Sequence, residues 1–146
     1  MGTGMPAFDD ATTTAAPPEE VWKALQDPAR YPSWWVGWAS VEPGEDGALT
    51  MYPVGYPDFP MPQAVRTERG DRRVTVSCQV SDLVFEWRLD EEPSGGTRIS
   101  VHVEIPDEEA HRLADQKAAV HGSLVRLADL AGAATRRAPA GLRRRA

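Results

Sequence analysis

Apolar and polar residues alternate most cleanly in the second half of the chain. From Arg73 to Val80, Val74, Val76, Cys78 and Val80 fall on one face, and Thr75, Ser77 and Gln79 on the other. Leu83 to Asp90 repeats the rule, with Leu83, Phe85, Trp87 and Leu89 against Val84, Glu86, Arg88 and Asp90. Thr97 to Ile105 does so again, setting Ile99, Val101, Val103 and Ile105 against Arg98, Ser100, His102 and Glu104. A period of two over consecutive runs predicts antiparallel strands with one buried and one wet face. Gly70-Asp71 and Pro93-Ser94-Gly95-Gly96 supply turns. After Pro106 the period changes. Ala110, Leu113, Ala114, Val120, Leu124, Leu127, Ala128 and Ala131 form a helical stripe, predicting one long helix from Asp107 to about Thr135. Asp107 is the expected N-cap, with Glu108 and Glu109 in the first turn.

The first half is less regular. Phe8 to Thr14 reads as a strand, and Pro18 opens a short helix in which Val21, Trp22 and Leu25 share a face. Asp27-Pro28 ends it, and a second helical turn covers Ala29 to Trp35. Trp38 to Glu42 and Leu49 to Val54 read as strands around the Pro43–Gly47 turn, and Gln63 to Glu68 as an edge strand. Three prolines between Gly55 and Pro62 exclude a regular central strand there. The expected class is therefore α+β: a sheet of about six to seven antiparallel strands, two short helices after the first, and a long helix covering one face. The domain is expected over residues 7–135, between a disordered start (1–6) and an Arg-rich flexible tail (136–146).

Composition narrows the function. The chain has 146 residues, enough for one domain with a real core. No apolar run approaches the ~20 residues of a membrane span, and the start has no basic, then apolar, signal pattern. The single cysteine, Cys78, allows no intramolecular disulfide and no cysteine-based metal site, so a buried, unreactive thiol in a reducing cytoplasm is expected. Abundant Ala, Arg and Asp suggest a GC-rich bacterial source. Net charge is −6, yet Arg136, Arg137, Arg143, Arg144 and Arg145 crowd the last residues. Without those five, 11 of the 16 basic residues face 22 acids, which argues against general nucleic-acid binding. The tail itself reads as a frayed, solvated terminus.

Local motifs carry a family likeness. Ala16-Pro17-Pro18-Glu19-Glu20-Val21-Trp22, followed by Asp27-Pro28-Ala29-Arg30-Tyr31-Pro32-Ser33-Trp34-Trp35, is similar to the opening of the START-like (SRPBCC; polyketide cyclase/dehydrase, birch-pollen-allergen-like) superfamily. Trp87-Arg88-Leu89 with Gly95-Gly96-Thr97-Arg98-Ile99 resembles its closing hairpin. The resemblance implies a helix-grip fold, whose sheet curls around the last helix and encloses a cavity for a hydrophobic small molecule. It implies a protein that binds an aromatic or polyketide- or lipid-like compound, with cyclase or aromatase activity as one reading. The rivals are a non-catalytic lipid or quinone carrier or sensor, and a protein-interaction module resembling chaperone activators or ribosome-associated members. No cofactor is implied, and the protein is expected to be a monomer or homodimer.

Three groups of residues could line such a cavity. Lys117 sits near the middle of the apolar stripe of the long helix, with His121 one turn on. Either both point inward to a ligand oxygen, or Lys117 snorkels past the sheet edge and His121 makes a structural hydrogen bond. Trp38, Tyr52, Tyr56, Phe59 and Leu113 are candidate ligand contacts, whereas Trp22 and Trp34 read as core. In the aromatase/cyclase branch, a strand arginine polarises a polyketide carbonyl, and the resemblance places Arg66 there. A one-residue register change would turn it to solvent. Metal chemistry is not expected: His102, His111 and His121 lack ligand spacing.

Overall fold

The computed structural model describes residues 6–137. The expected disordered start and the last nine residues of the Arg-rich tail lie outside this range, Pro6 excepted. The carbonyl of Pro6 accepts a hydrogen bond from the N–H of Ile105 at 2.9 Å.

Seven strands form one antiparallel sheet: β1 (Ala7–Thr14), β2 (Trp38–Pro43), β3 (Ala48–Pro53), β4 (Met61–Glu68), β5 (Arg73–Cys78), β6 (Val84–Glu91) and β7 (Thr97–Glu104). Their spatial order is β1-β7-β6-β5-β4-β3-β2. Helices α1 (Pro18–Leu25) and α2 (Tyr31–Trp34), joined by a 3₁₀ turn at Pro28–Arg30, carry the chain from one edge strand to the other. A six-residue 3₁₀ turn, Asp107–Arg112, leads into α3 (Leu113–Arg137), which packs chiefly against β1. This is the helix-grip α+β architecture.

Each local choice has a cause. Alternation in β5, β6 and β7 buries Val74, Val76, Phe85, Trp87, Leu89, Ile99, Val101 and Val103 on the helix side. Pro18 begins α1 at a position where its missing N–H costs nothing, and Glu19 and Glu20 suit the helix start. In the β2–β3 hairpin, Gly47 has φ +82°, and its carbonyl accepts from the N–H of Val65 at 2.7 Å. A Cβ at Gly47 would lie 2.5 Å from the carbonyl oxygen of Val65, so only glycine fits. On α3, Gly122 leaves room for Val36, and the Ser123 hydroxyl accepts from the N–H of Val36 at 2.9 Å.

Much of the interior is aromatic. Trp34 and Trp35 stack at 5.6 Å between ring centroids. Trp87 meets both edge-on, at 5.0 and 5.1 Å, and Phe85 meets Trp35 at 5.0 Å. Such edge-to-face contacts add about 0.5–1.5 kcal/mol each beyond area burial. Tyr31 joins the cluster, and its phenol pKa is driven up by burial and then by the Asp27 carboxylate.

Three expectations are corrected. β4 is an inner strand between β3 and β5, and the edges are β1 and β2; Pro62 is tolerated because it lies next to the strand's start. Val80 is 54% exposed, because β5 ends at Cys78 and the chain turns before the alternation can continue. The long helix opens as a 3₁₀ turn capped by Pro106, and Asp107 makes no side-chain cap.

Candidate functional site

A cavity of about 250 Å³ opens at the end of the sheet where β3 turns into β4 and β5 into β6. Its sheet side is apolar: Met61 from β4, Cys78 from β5, Leu83 and Phe85 around the start of β6. Trp35 and Trp38, flanking the Gly37 bend after α2, close one side. Gly37 holds φ +104°, which favours glycine and lets the two indoles frame one opening. The helix side is polar, with Arg112, Asp115 and Gln116 beside Ala119, and Ser81 contributes from the β5–β6 loop. Nε of Arg112 lies 2.5 Å from Oε1 of Glu109, so the guanidinium at the cavity wall is charge-paired. An apolar floor with a few convergent polar groups is the usual make-up of a small-molecule site.

The structure brings only Trp38, of the residues the sequence nominated, to this cavity. Lys117 and His121 are exposed, and Nδ1 of His121 lies 3.3 Å from Oδ2 of Asp10 on β1. Of the two facings left open by the sequence, the outward one is found, and the candidate inward contact of this pair with a ligand is corrected. At 100° per residue, Lys117 and His121 occupy one flank of the α3 stripe and Gln116 and Ala119 the other. Because α3 lies against the edge strand β1, the first flank looks out past the edge and the second faces the cavity. Leu113 packs against the core, half-buried.

Arg66 also faces outward. Its side chain is 79% exposed, with Nε 3.2 Å from Glu68 Oε2. The inner positions of β4 are Met61, Gln63 and Val65, so Arg66 falls on the wet face by strand parity. Glu68 is shared with Arg73, which holds its carboxyl below the usual range. The phenol of Tyr52 donates to Glu42 at 2.9 Å outside the cavity, which raises its pKa. Tyr56 and Phe59 lie exposed on the β3–β4 loop.

Two wider depressions lie on the outer surface. One, of about 650 Å³, runs between α1 and the β4–β5 turn, where Arg69 stands 6.0 Å over the Trp22 ring. The other, of about 750 Å³, lies on the outer face of β1, β7 and β6. There His102 is held by Asp9 at 2.8 Å and Glu104 at 3.1 Å. Both are rich in ion-paired side chains. Among the described residues no group of three or more His, Cys, Asp or Glu is placed to hold a metal ion, and no helix is long and apolar enough to cross a membrane.

Arg112, Gln116, Ser81 and Cys78 were missed as cavity residues. Cys78 was legible as buried, but burial alone does not distinguish a core from a cavity wall. Gln116 sits off the apolar stripe, where periodicity carries no signal.

Comparison with known proteins adds the following. Residues 14–115 match the profile of the family described as polyketide cyclase / dehydrase and lipid transport. No curated protein matches at a significant level. Among solved structures, XoxI from Bacillus cereus superposes with TM-score 0.69 at 17% identity, covering 86% of this chain and 94% of that one. Two di-domain aromatase/cyclases also superpose. BexL of the BE-7585A biosynthetic pathway gives TM-score 0.72 at 12% identity, with 86% of this chain covered. StfQ of the steffimycin pathway gives 0.70 at 19%, with 89% covered. The matched region spans 46% of each of these two-domain proteins. At these identities the likeness is one of fold.

Proposed function

Because the chain belongs to the polyketide cyclase/dehydrase and lipid transport family, we propose that it binds a hydrophobic, ring-bearing small molecule in the cavity between α3 and the β4–β6 end of the sheet. The observation that carries this is the asymmetry of the cavity. Trp35, Phe85, Met61 and Leu83 offer apolar surface, and Gln116, Ser81 and Arg112 offer hydrogen-bonding groups opposite. A flat ligand with one polar edge fits that division: burial on the sheet side supplies affinity, and the polar wall fixes orientation. Carriage or sensing of such a compound needs nothing further.

A second reading, cyclisation of a polyketide-like chain, draws on Arg112. A guanidinium in the wall is a donor for a substrate carbonyl, and holding a flexible chain bent beside it would lower the entropic barrier to ring closure. Arg66 does not enter this reading, since it faces solvent.

Binding is tested with naphthol, followed by quenching of tryptophan fluorescence and by alkylation of Cys78, the only thiol. Ala119→Phe should fill the cavity from the helix side and abolish both the quenching and the protection of Cys78, while leaving the fold intact by circular dichroism. Equal binding by the variant would move the site elsewhere.

A further inference from the structure

The cavity is small for its family's name. An apolar cavity of about 150 Å³ holds a single benzene. At about 250 Å³, this one takes a head of roughly one to two rings and no more. Drug-sized ligands occupy roughly 300 to 1,000 Å³. A larger ligand must therefore continue outside the cavity.

What lies outside is apolar. Five large hydrophobic side chains are exposed among the described residues, and four of them, Val54, Tyr56, Phe59 and Val80, lie on the two loops that adjoin the cavity lining, Tyr56 and Phe59 bordering a shallow depression of their own. They are between 53% and 63% exposed, more than the fifth, Val125 on α3, at 42%. Val54, Tyr56 and Phe59 belong to the β3–β4 loop, whose two ends, Pro53 and Met61, line the cavity. Val80 precedes Ser81, another lining residue. The two loops are tied at their bases by the N–H of Gln79 donating to the carbonyl of Pro62 at 2.8 Å. The β3–β4 loop is further braced by N–H to carbonyl bonds from Val54 to Gly37 and from Phe59 to Tyr56. Both loops therefore run directly from residues of the cavity lining into exposed apolar side chains. Residues 53–61 and 79–83 contain no basic side chain and two acids, Asp58 and Asp82, so an anionic extension is disfavoured.

We infer that the ligand is a two-part molecule: a mono- or bicyclic head seated in the cavity against Trp35 and Phe85, and an uncharged apolar extension lying outside across Val54, Tyr56, Phe59 and Val80. This rests on the proposed binding reading and narrows it. It separates the work of the two zones, with the cavity selecting the head and the loops selecting length.

The test compares naphthol with hexylnaphthol on the wild type, on the double variant Tyr56→Ser/Phe59→Ser, and on Val125→Ser as a control for adsorption to any exposed apolar group. Dissociation constants come from tryptophan quenching and isothermal titration. The wild type and the Val125 variant should bind hexylnaphthol at least tenfold more tightly than naphthol. The double variant should lose most of that ratio while binding naphthol as the wild type does. If the double variant keeps the full ratio, or if the hexyl group adds nothing in the wild type, the inference is overturned and the binding reading stands. If neither compound protects Cys78 or quenches any of the three proteins, the binding reading fails and the inference with it.

Discussion

Beneath α2 the inner face of the sheet is closed by Trp34, Trp87 and Tyr31; at the β3–β6 end the same face is left open, and the adjoining β3–β4 and β5–β6 loops carry exposed apolar side chains. Both regions draw on aromatic residues, and Trp35 belongs to both, touching Phe85 and Trp87 while lining the cavity. The difference shows how a curved sheet under a single helix is apportioned. Indoles fill the space under the short helices, and what they leave over is the cavity. Its size is set by where the aromatic cluster stops.

The largest expected effect comes from breaking the closed region. Trp34 is fully buried and donates its indole N–H to the Ala24 carbonyl at 3.2 Å. Trp34→Ala should cost about 3–5 kcal/mol in urea unfolding. A loss below about 1 kcal/mol would show that the cluster is not the structural centre. Trp35→Ala should cost a similar amount, about 3–5 kcal/mol, and in addition should alter naphthol affinity. A Trp35 variant destabilised without any change in affinity would erase the boundary drawn here between the two regions.

A smaller effect tests the outer face of the sheet, where His102 on β7 meets Asp9 on β1. Hydrogen bonding to Asp9 is the main cause raising the His102 pKa, with Glu104 adding to it against the burial that opposes it. A histidine whose folded pKa is raised stabilises fully below its unfolded value of about 6.5, and that contribution is lost as pH rises through the folded pKa. His102→Gln should therefore flatten the fall in stability between about pH 6 and pH 8, an effect of roughly 1 kcal/mol or less for so exposed a group. An unchanged slope would assign the pH dependence to other groups. Smallest of all, Arg66→Ala and Lys117→Ala should each change stability by no more than about 0.5 kcal/mol and leave naphthol binding as it is. A tenfold loss of affinity in either would return these side chains to the site.

The fold was largely legible because β5, β6 and β7 each carry a full alternation, and because the opening motif marks the helix pair. The rest depended on geometry that periodicity does not encode. Val80 continues the apolar series of β5 in sequence, yet the chain has already left the sheet. Lys117 lies within the apolar stripe on a helical wheel, but a wheel does not say which flank overhangs the edge strand. Arg112 was hidden because residues 107–112 wind at three per turn, which shifts the phase before α3 begins. Strand parity, by contrast, was decisive for Arg66, whose two facings differ by a single residue of register.

The Ser123 contact has a mechanical consequence. Its hydroxyl donates to the Ala119 carbonyl at 2.7 Å and receives the N–H of Val36, pinning α3 to the segment after α2. Val120 before it and Leu124, Leu127, Ala128 and Ala131 beyond it are buried in the core, and Ala114, Asp115, Lys117 and Ala118 nearer the helix start are exposed. Ser123 lies about ten residues, or about 15 Å, from the start of the helix. A tilt of roughly 5° about it would carry Leu113 by about 1 Å, a large fraction of a methyl group's radius. Gln116 and Ala119 of this segment line the cavity, so a displacement of that size would change the width of its opening.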